Sequence, residues 1–145
     1  MDVIEIVAIM ACTIFAGAAV YINVAEHPAR LSCGTQVAAT VFGPSYQRAA
    51  IMQASLAILA AVAGAVVALG GGGWLWWLGA LAIFAVVPFT FIVIMPTNKQ
   101  LLEPERDRTS EATRRLLVRW GRLHAVRSAL SLVAALLYVS LGVAA

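Results

Sequence analysis

Two short motifs in the 145-residue chain carry groups suited to acid–base and anion chemistry: His27-x-x-Arg30 and His124-x-x-Arg127. They contain the chain's two histidines. A histidine has a reference pKa of about 6.5 and can take or give a proton near neutrality. An arginine beside it supplies a fixed positive charge for an anion that develops during a reaction. Asn23 and Glu26 precede the first motif, Trp120 precedes the second, and Thr97-Asn98 lie between them in the chain. Trp120 offers a flat face on which an aromatic ring can stack. His124, His27, Arg127 and Arg30 are therefore the candidate catalytic residues. Trp120, Asn23, Glu26, Thr97 and Asn98 are the candidate substrate contacts.

Metal binding is the rival chemistry, with His27, His124 and Glu26 as a two-histidine, one-carboxylate set. Neither histidine has a second ligand at i+3 or i+4, and Arg30 and Arg127 would repel a cation. A metal is not expected.

The elements that hold these residues follow from composition. Hydrophobic residues make up 62% of the chain and charged residues 12%. Soluble domains average about 45–50% apolar and about 25% charged, so soluble and disordered classes are excluded. The ten basic residues on such a background do not indicate a nucleic-acid partner. A helix needs about 20 mostly apolar residues to cross a bilayer. Four runs satisfy this, at about 6–25, 49–69, 75–95 and 125–143, within one transmembrane domain covering 1–145. The Gly70–Gly73 connector forces the middle two runs into a hairpin. The fold expected is all-α, an integral membrane four-helix antiparallel bundle.

Direction follows from charge. All ten Lys and Arg residues fall in two windows, Arg30–Arg48 and Lys99–Arg127. The positive-inside rule places the loops 26–48 and 96–124 in the cytoplasm and both termini outside. Trp74, Trp76 and Trp77 then form an outer aromatic belt, with Tyr21, Tyr46 and Trp120 at the inner one. Small residues recur every fourth position at Ala60, Gly64 and Ala68, at Ala57, Ala61 and Ala65, and at Thr13 and Gly17. Such seams let helices approach closely in lipid. Pro88 is expected to kink the third span near Phe84, Pro96 to end it, and Pro28 to stop the first helix at His27.

From Thr109 or Ser110, either able to cap, the fourth helix begins in the cytoplasm. At 100° per residue Thr113, Leu116, Trp120, Leu123, His124 and Arg127 share one face. Arg114, Arg115, Arg119 and Arg122 occupy the rest, where they suit anionic lipid headgroups. His124 and Arg127 thus turn inward at the bundle's inner mouth, and both histidine motifs converge on one membrane face. Ionisable residues so placed mark a functional site. Cys12 lies in an apolar run and Cys33 in a polar stretch, so a disulfide is not expected. The acidic start Met1-Asp2-Val3-Ile4-Glu5 argues for a retained anchor over a secretory signal.

At these residues the sequence resembles the DUF1772 (anthrone oxygenase-like) family of small four-span membrane proteins. Its HPxR, P-T-N-x-x-L and W-x-x-x-H-x-x-R elements read here as His27-Pro28-Ala29-Arg30, Pro96-Thr97-Asn98-Lys99-Gln100-Leu101 and Trp120 through Arg127. The resemblance implies oxidation of an anthrone-like aromatic or quinone-like substrate by dioxygen, with no cofactor expected. The partners implied are a hydrophobic small molecule and membrane lipid, with room for a homo-oligomer, in the inner membrane of a bacterial cell. His124 is read as the general base and His27 as a positioning or relay residue, because His124 sits on a continuous helix beside Trp120. The second functional class is a non-catalytic membrane protein whose polar cluster holds a lipid, quinone or partner. Cysteine accessibility of a Ser110→Cys variant tests the orientation: labelling from the cytoplasm is expected, and labelling from outside the cell would reverse it.

Overall fold

The computed structural model describes residues 1–144, and among these no strand occurs. Four helical runs, Val3–Ser32, Thr35–Gly72, Trp74–Leu101 and Glu111–Ala144, are long and apolar enough to cross a membrane. The chain is a multi-pass membrane protein. The first run is α1 (Val3–Tyr21) followed by α2 (His27–Ser32); α3 is Thr35–Val67. The third run comprises α4 (Trp74–Phe89) and α5 (Met95–Leu101), and α6 is Glu111–Ala144. Asp2 caps α1 reciprocally with Glu5: Asp2 Oδ1 accepts from Ile4 and Glu5 N–H at 2.9 Å, and Glu5 Oε2 accepts from Asp2 N–H at 2.7 Å. α1 packs on α3 and α6, and α4 packs on the same two helices, which closes a four-sided bundle.

Two proline expectations are overturned, for one reason. Neither Pro28 nor Pro96 ends its helix. Each is preceded by a five-residue π-helical segment, Ile22–Glu26 and Thr90–Ile94. His27 N–H bonds back to Ile22 O and Met95 N–H to Thr90 O, five residues away in both cases. A proline ring clashes with the carbonyl four residues back and lacks a donor for it. The wider turn relieves both problems, so His27 keeps helical angles (φ −67°, ψ −44°). The stretch 26–48 is therefore helical apart from a tight reversal at Cys33-Gly34, where Gly34 has φ +96°. Pro44 and Pro88 also lie inside continuous helices. The hairpin between α3 and α4 does turn on glycine, with Gly71 at φ +102° and Gly73 at φ +94°.

The loop before α6 is locked by its own side chains. Asp107 Oδ1 accepts from the Thr109 hydroxyl and N–H, and Thr113 Oγ1 donates to Asp107 O at 2.7 Å. The Thr109 hydroxyl, first among these contacts, holds the Asp107 carboxyl below its usual range. Of the two capping candidates, Ser110 accepts the Thr113 N–H at 3.2 Å.

Two apolar clusters fill the bundle, with a polar layer between them. The first, near the termini and the glycine turn, contains Phe15, Ile83 and Tyr138. The second, near the α5–α6 loop, contains Phe42, Leu117 and Trp120. Between them each run contributes buried or half-buried polar groups, including Asn23, Gln53, Thr90, His124, Arg127 and Ser128. Cys12 is buried and Cys33 exposed, and both are free.

Three packing expectations need correction. Trp76 is no belt residue: it is 3% exposed and stacks against Tyr138 at 4.9 Å, while Trp74 is 71% exposed. Trp120 is buried as well. In α1 the close-packed seam is Ala8, Cys12 and Ala16, not Thr13 and Gly17; Gly17 faces outward and the Thr13 hydroxyl donates to Ile9 O. The α3 seams do pack, with Ala57, Ala60, Ala61 and Gly64 buried. Gly64 of α3 and Gly79 of α4 leave the slot that the Tyr138 ring fills, and Tyr138 Oη donates to Ala60 O at 3.1 Å. A Cβ at either glycine would collide with that ring. Gly79→Val should cost about 1–3 kcal/mol by overpacking. Thermal unfolding in detergent should show the loss, and Tyr138→Ala in the same chain should remove part of the penalty; additive losses would contradict the slot.

Candidate active site

The π-helical end of α1 carries Asn23, and α6 carries everything Asn23 touches. Its Nδ2 donates to Gly121 O at 2.9 Å, which turns Oδ1 toward His124 Nδ1 and Ser128 Oγ, each 2.7 Å away. Oδ1 is only an acceptor, so the proton of a neutral His124 ring sits on Nδ1. Nε2 is left with its lone pair and no hydrogen-bond partner among the described residues. The imidazole is 1% exposed and stacks on Trp120, with ring centroids 4.8 Å apart and planes 30° apart.

His27 has the opposite arrangement. Arg30 Nε donates to His27 Nδ1 at 3.2 Å, since a guanidinium can only donate. His27 Nε2 lies 2.9 Å from Leu117 O and therefore carries the proton that bonds it. Both ring nitrogens are engaged. Gly121 permits this approach: a Cβ there would lie 2.7 Å from His27 Cδ2 and 2.8 Å from Nε2. His27 thereby joins α2 to α6 and holds Arg30, whose guanidinium lies over Trp120 at 5.5 Å and Phe42 at 5.9 Å. Glu26 lies 3.6 Å from Arg30 Nη1 and accepts from Ser45 Oγ at 2.9 Å.

A cavity of about 160 Å³ opens on these groups, walled by all four runs. Arg30, Trp120, His124 and Arg127 line it, together with Gln53 of α3. The remaining wall is largely apolar, from residues such as Phe15, Phe42 and Val86. Arg127 Nη2 donates to Gln53 Oε1 at 2.9 Å, and its guanidinium sits over Phe15 at 5.6 Å. Three buried nitrogens of cavity-lining residues have no partner among the described residues, Gln53 Nε2, Trp120 Nε1 and Arg127 Nε, and Arg30 Nη1 has no hydrogen bond, only the Glu26 carboxylate at 3.6 Å. All four are donors. His124, whose Nε2 has no hydrogen-bond partner among the described residues, lines the same cavity.

The nine residues singled out from sequence therefore divide. His124, Arg127, Arg30 and Trp120 line the cavity. Asn23, Glu26 and His27 stand behind them as hydrogen-bond or ionic partners. Thr97 and Asn98 are 1% exposed on α5 but do not line the cavity. Sequence reasoning passed over Gln53, Phe42 and Phe15. Gln53 had a readable signal, an amide inside an apolar span, where polar groups mark function. Among the described residues no three His, Cys, Asp or Glu side chains form a metal-holding group.

Comparison with known proteins gives a family. Residues 42–137 match the family described as Anthrone oxygenase. That stretch includes Gln53, Trp120, His124 and Arg127, and leaves Asn23, His27 and Arg30 outside. A relative, the anthrone oxygenase tpcL of Aspergillus fumigatus, is 39% identical over 71 residues, covering 47% of this chain and 44% of its own. The alignment thus spans less than half of either protein. No solved structure matches. With two thirds of its length matched, the chain belongs to the anthrone oxygenase family.

Proposed function

We propose that the protein is a cofactor-independent, anthrone-oxygenase-like monooxygenase that takes a flat, hydrophobic aromatic substrate and dioxygen. The observation carrying this reading is an apolar cavity lined by residues that hold unpaired donors and by His124, whose Nε2 has no hydrogen-bond partner among the described residues. Buried donors in an apolar setting are costly unless a ligand brings acceptors to them. An anthrone-like ring brings carbonyl and phenolic oxygens for the nitrogens and apolar faces for Phe15, Phe42 and Trp120. Its benzylic C–H supplies the proton for His124 Nε2.

His124 Nε2 takes one benzylic proton, and the anion spreads its charge onto the ring ketone oxygen. Arg127, held by Gln53, and the Gln53 amide stabilise that oxygen. The carbanion passes an electron to dioxygen, and recombination forms a C–O bond. Protonation by the His124 imidazolium gives a hydroperoxide. Loss of the second benzylic proton then breaks the O–O bond, leaving a quinone carbonyl and water. The stoichiometry is one CH₂ group and one dioxygen to one carbonyl and one water, with no outside reductant.

His27 acts through others, because both its nitrogens are occupied; it positions Arg30 against Trp120. The placing of all ten basic residues supports a bundle with both termini outside and the site toward the inner leaflet of the cytoplasmic membrane. Oxygen uptake with an anthrone in membranes holding the protein tests the reading. A His124→Ala variant should lose about 10²–10⁴-fold in rate, as for removal of a positioned base. His27→Ala should lose less. Equal rates in the wild type and His124→Ala would leave a non-catalytic binding protein as the better account.

A further inference from the structure

The cavity's walls differ in what lies behind them. Toward the loop end, α3 and α4–α5 are tied together: Phe42 stacks on Tyr46 at 5.7 Å, and Tyr46 Oη reaches Met95 Sδ at 3.9 Å. Phe42 in turn meets Trp120 edge-on at 5.2 Å. These contacts floor the cavity on the side of the charged loops. On the flank between α3 and α4 no such tie exists. The α3 wall there is built from Ala49, Ala50 and Ala54, and Ala54 is exposed although it lines the cavity. Opposite it, Phe91 also lines the cavity and is 65% exposed. Phe91 sits in the π-helical segment Thr90–Ile94.

The surroundings of this gap are apolar. Ile51 and Ile58 lie near it on α3, Phe84 on α4 and Ile92 on the π-helical segment, all more than half exposed. At 1.5 Å per residue, Ala54 lies about 24 Å along α3 from the glycine turn at Gly70. Phe91 lies about 27 Å along the third run from Gly73. A turn at one interface of a hydrocarbon core about 30 Å thick thus puts the gap within the core, toward the opposite face.

We infer that the gap between Ala54 and Phe91 is a lateral portal through which the substrate passes from the bilayer to His124. This rests on the function proposed above and adds a route and a substrate class: a molecule dissolved in acyl chains, not one drawn from water. Alanines on α3 leave the opening, and the wide π turn sets the Phe91 ring at its rim. The Tyr46–Met95 contact lies on the loop side of the same cavity.

The test uses the full-length protein in phosphatidylcholine vesicles, with anthraquinone as a flat probe that lacks the reactive C–H. Association is followed by quenching of tryptophan fluorescence, and anthrone-dependent oxygen uptake is measured in the same preparations. Ala54→Phe should slow association at least tenfold with little change in near-UV dichroism. Ile58→Phe, one turn along the same lipid-facing helix but off the cavity, should stay within twofold of wild type. Tyr46→Phe, which releases the Met95 contact, should leave the rate unchanged. Wild-type association by Ala54→Phe, or a large acceleration by Tyr46→Phe, would overturn the portal in favour of access from the loop side. Probe binding gated by Ala54 without anthrone oxidation by the wild type would instead remove the proposed reaction and leave the portal standing.

Discussion

The structure depends on burying a layer of polar groups inside a bundle that is otherwise apolar. In lipid no water relieves an unpaired donor or acceptor, so partners must come from other helices or from a bound molecule. Asn23 provides the tightest example. One amide joins the backbone of Gly121, the ring of His124 and the hydroxyl of Ser128, and both of its polar atoms are used. Those bonds fix the rotation of α6 against α1. They also fix which nitrogen of His124 carries the proton and which is left without a partner among the described residues. Register and tautomer come from the same three contacts.

The aromatic wall follows from that register. With His124 held, Trp120 one turn earlier is pressed against it and meets His27, Phe42 and Arg30 on its remaining sides. Gly121 is the residue between them that must have no side chain, since His27 occupies the space a Cβ would need. At the other end the Tyr138 ring is seated over Gly64 and Gly79 and fills the space between them. One half of the bundle is thus closed by an aromatic ring between glycines. The other half is held open between aromatic and basic residues.

Much of this was legible in the sequence. Four spans and the inward face of α6 follow from run length and a period of 3.6 residues; Thr113, Trp120, His124 and Arg127 on that face are buried, while Leu116 and Leu123 are half-buried and Leu117 is buried instead. Histidine and arginine on an apolar face pointed to the site. The π segments were not legible, because a helical period carries no signal for a five-residue hydrogen bond. Pro28 and Pro96 therefore read as stops when they are continuations. In the sequence the two histidines differ only in backbone continuity; in the structure they differ by Asn23 on one ring and Arg30 with Leu117 on the other. Trp76 read as a belt residue because three tryptophans in four positions suggest an interface, whereas helical rotation turns the middle one inward.

The central claim is that His124 Nε2 takes a proton from the substrate before oxygen enters the chemistry. The most direct measurement is anaerobic: anthrone added to the protein in vesicles, followed by the long-wavelength absorbance of the delocalised anion. The account predicts that the wild type accumulates the anion without oxygen, that His124→Ala does not, and that admitting oxygen discharges it to the quinone. Anion formation in His124→Ala equal to the wild type would contradict it.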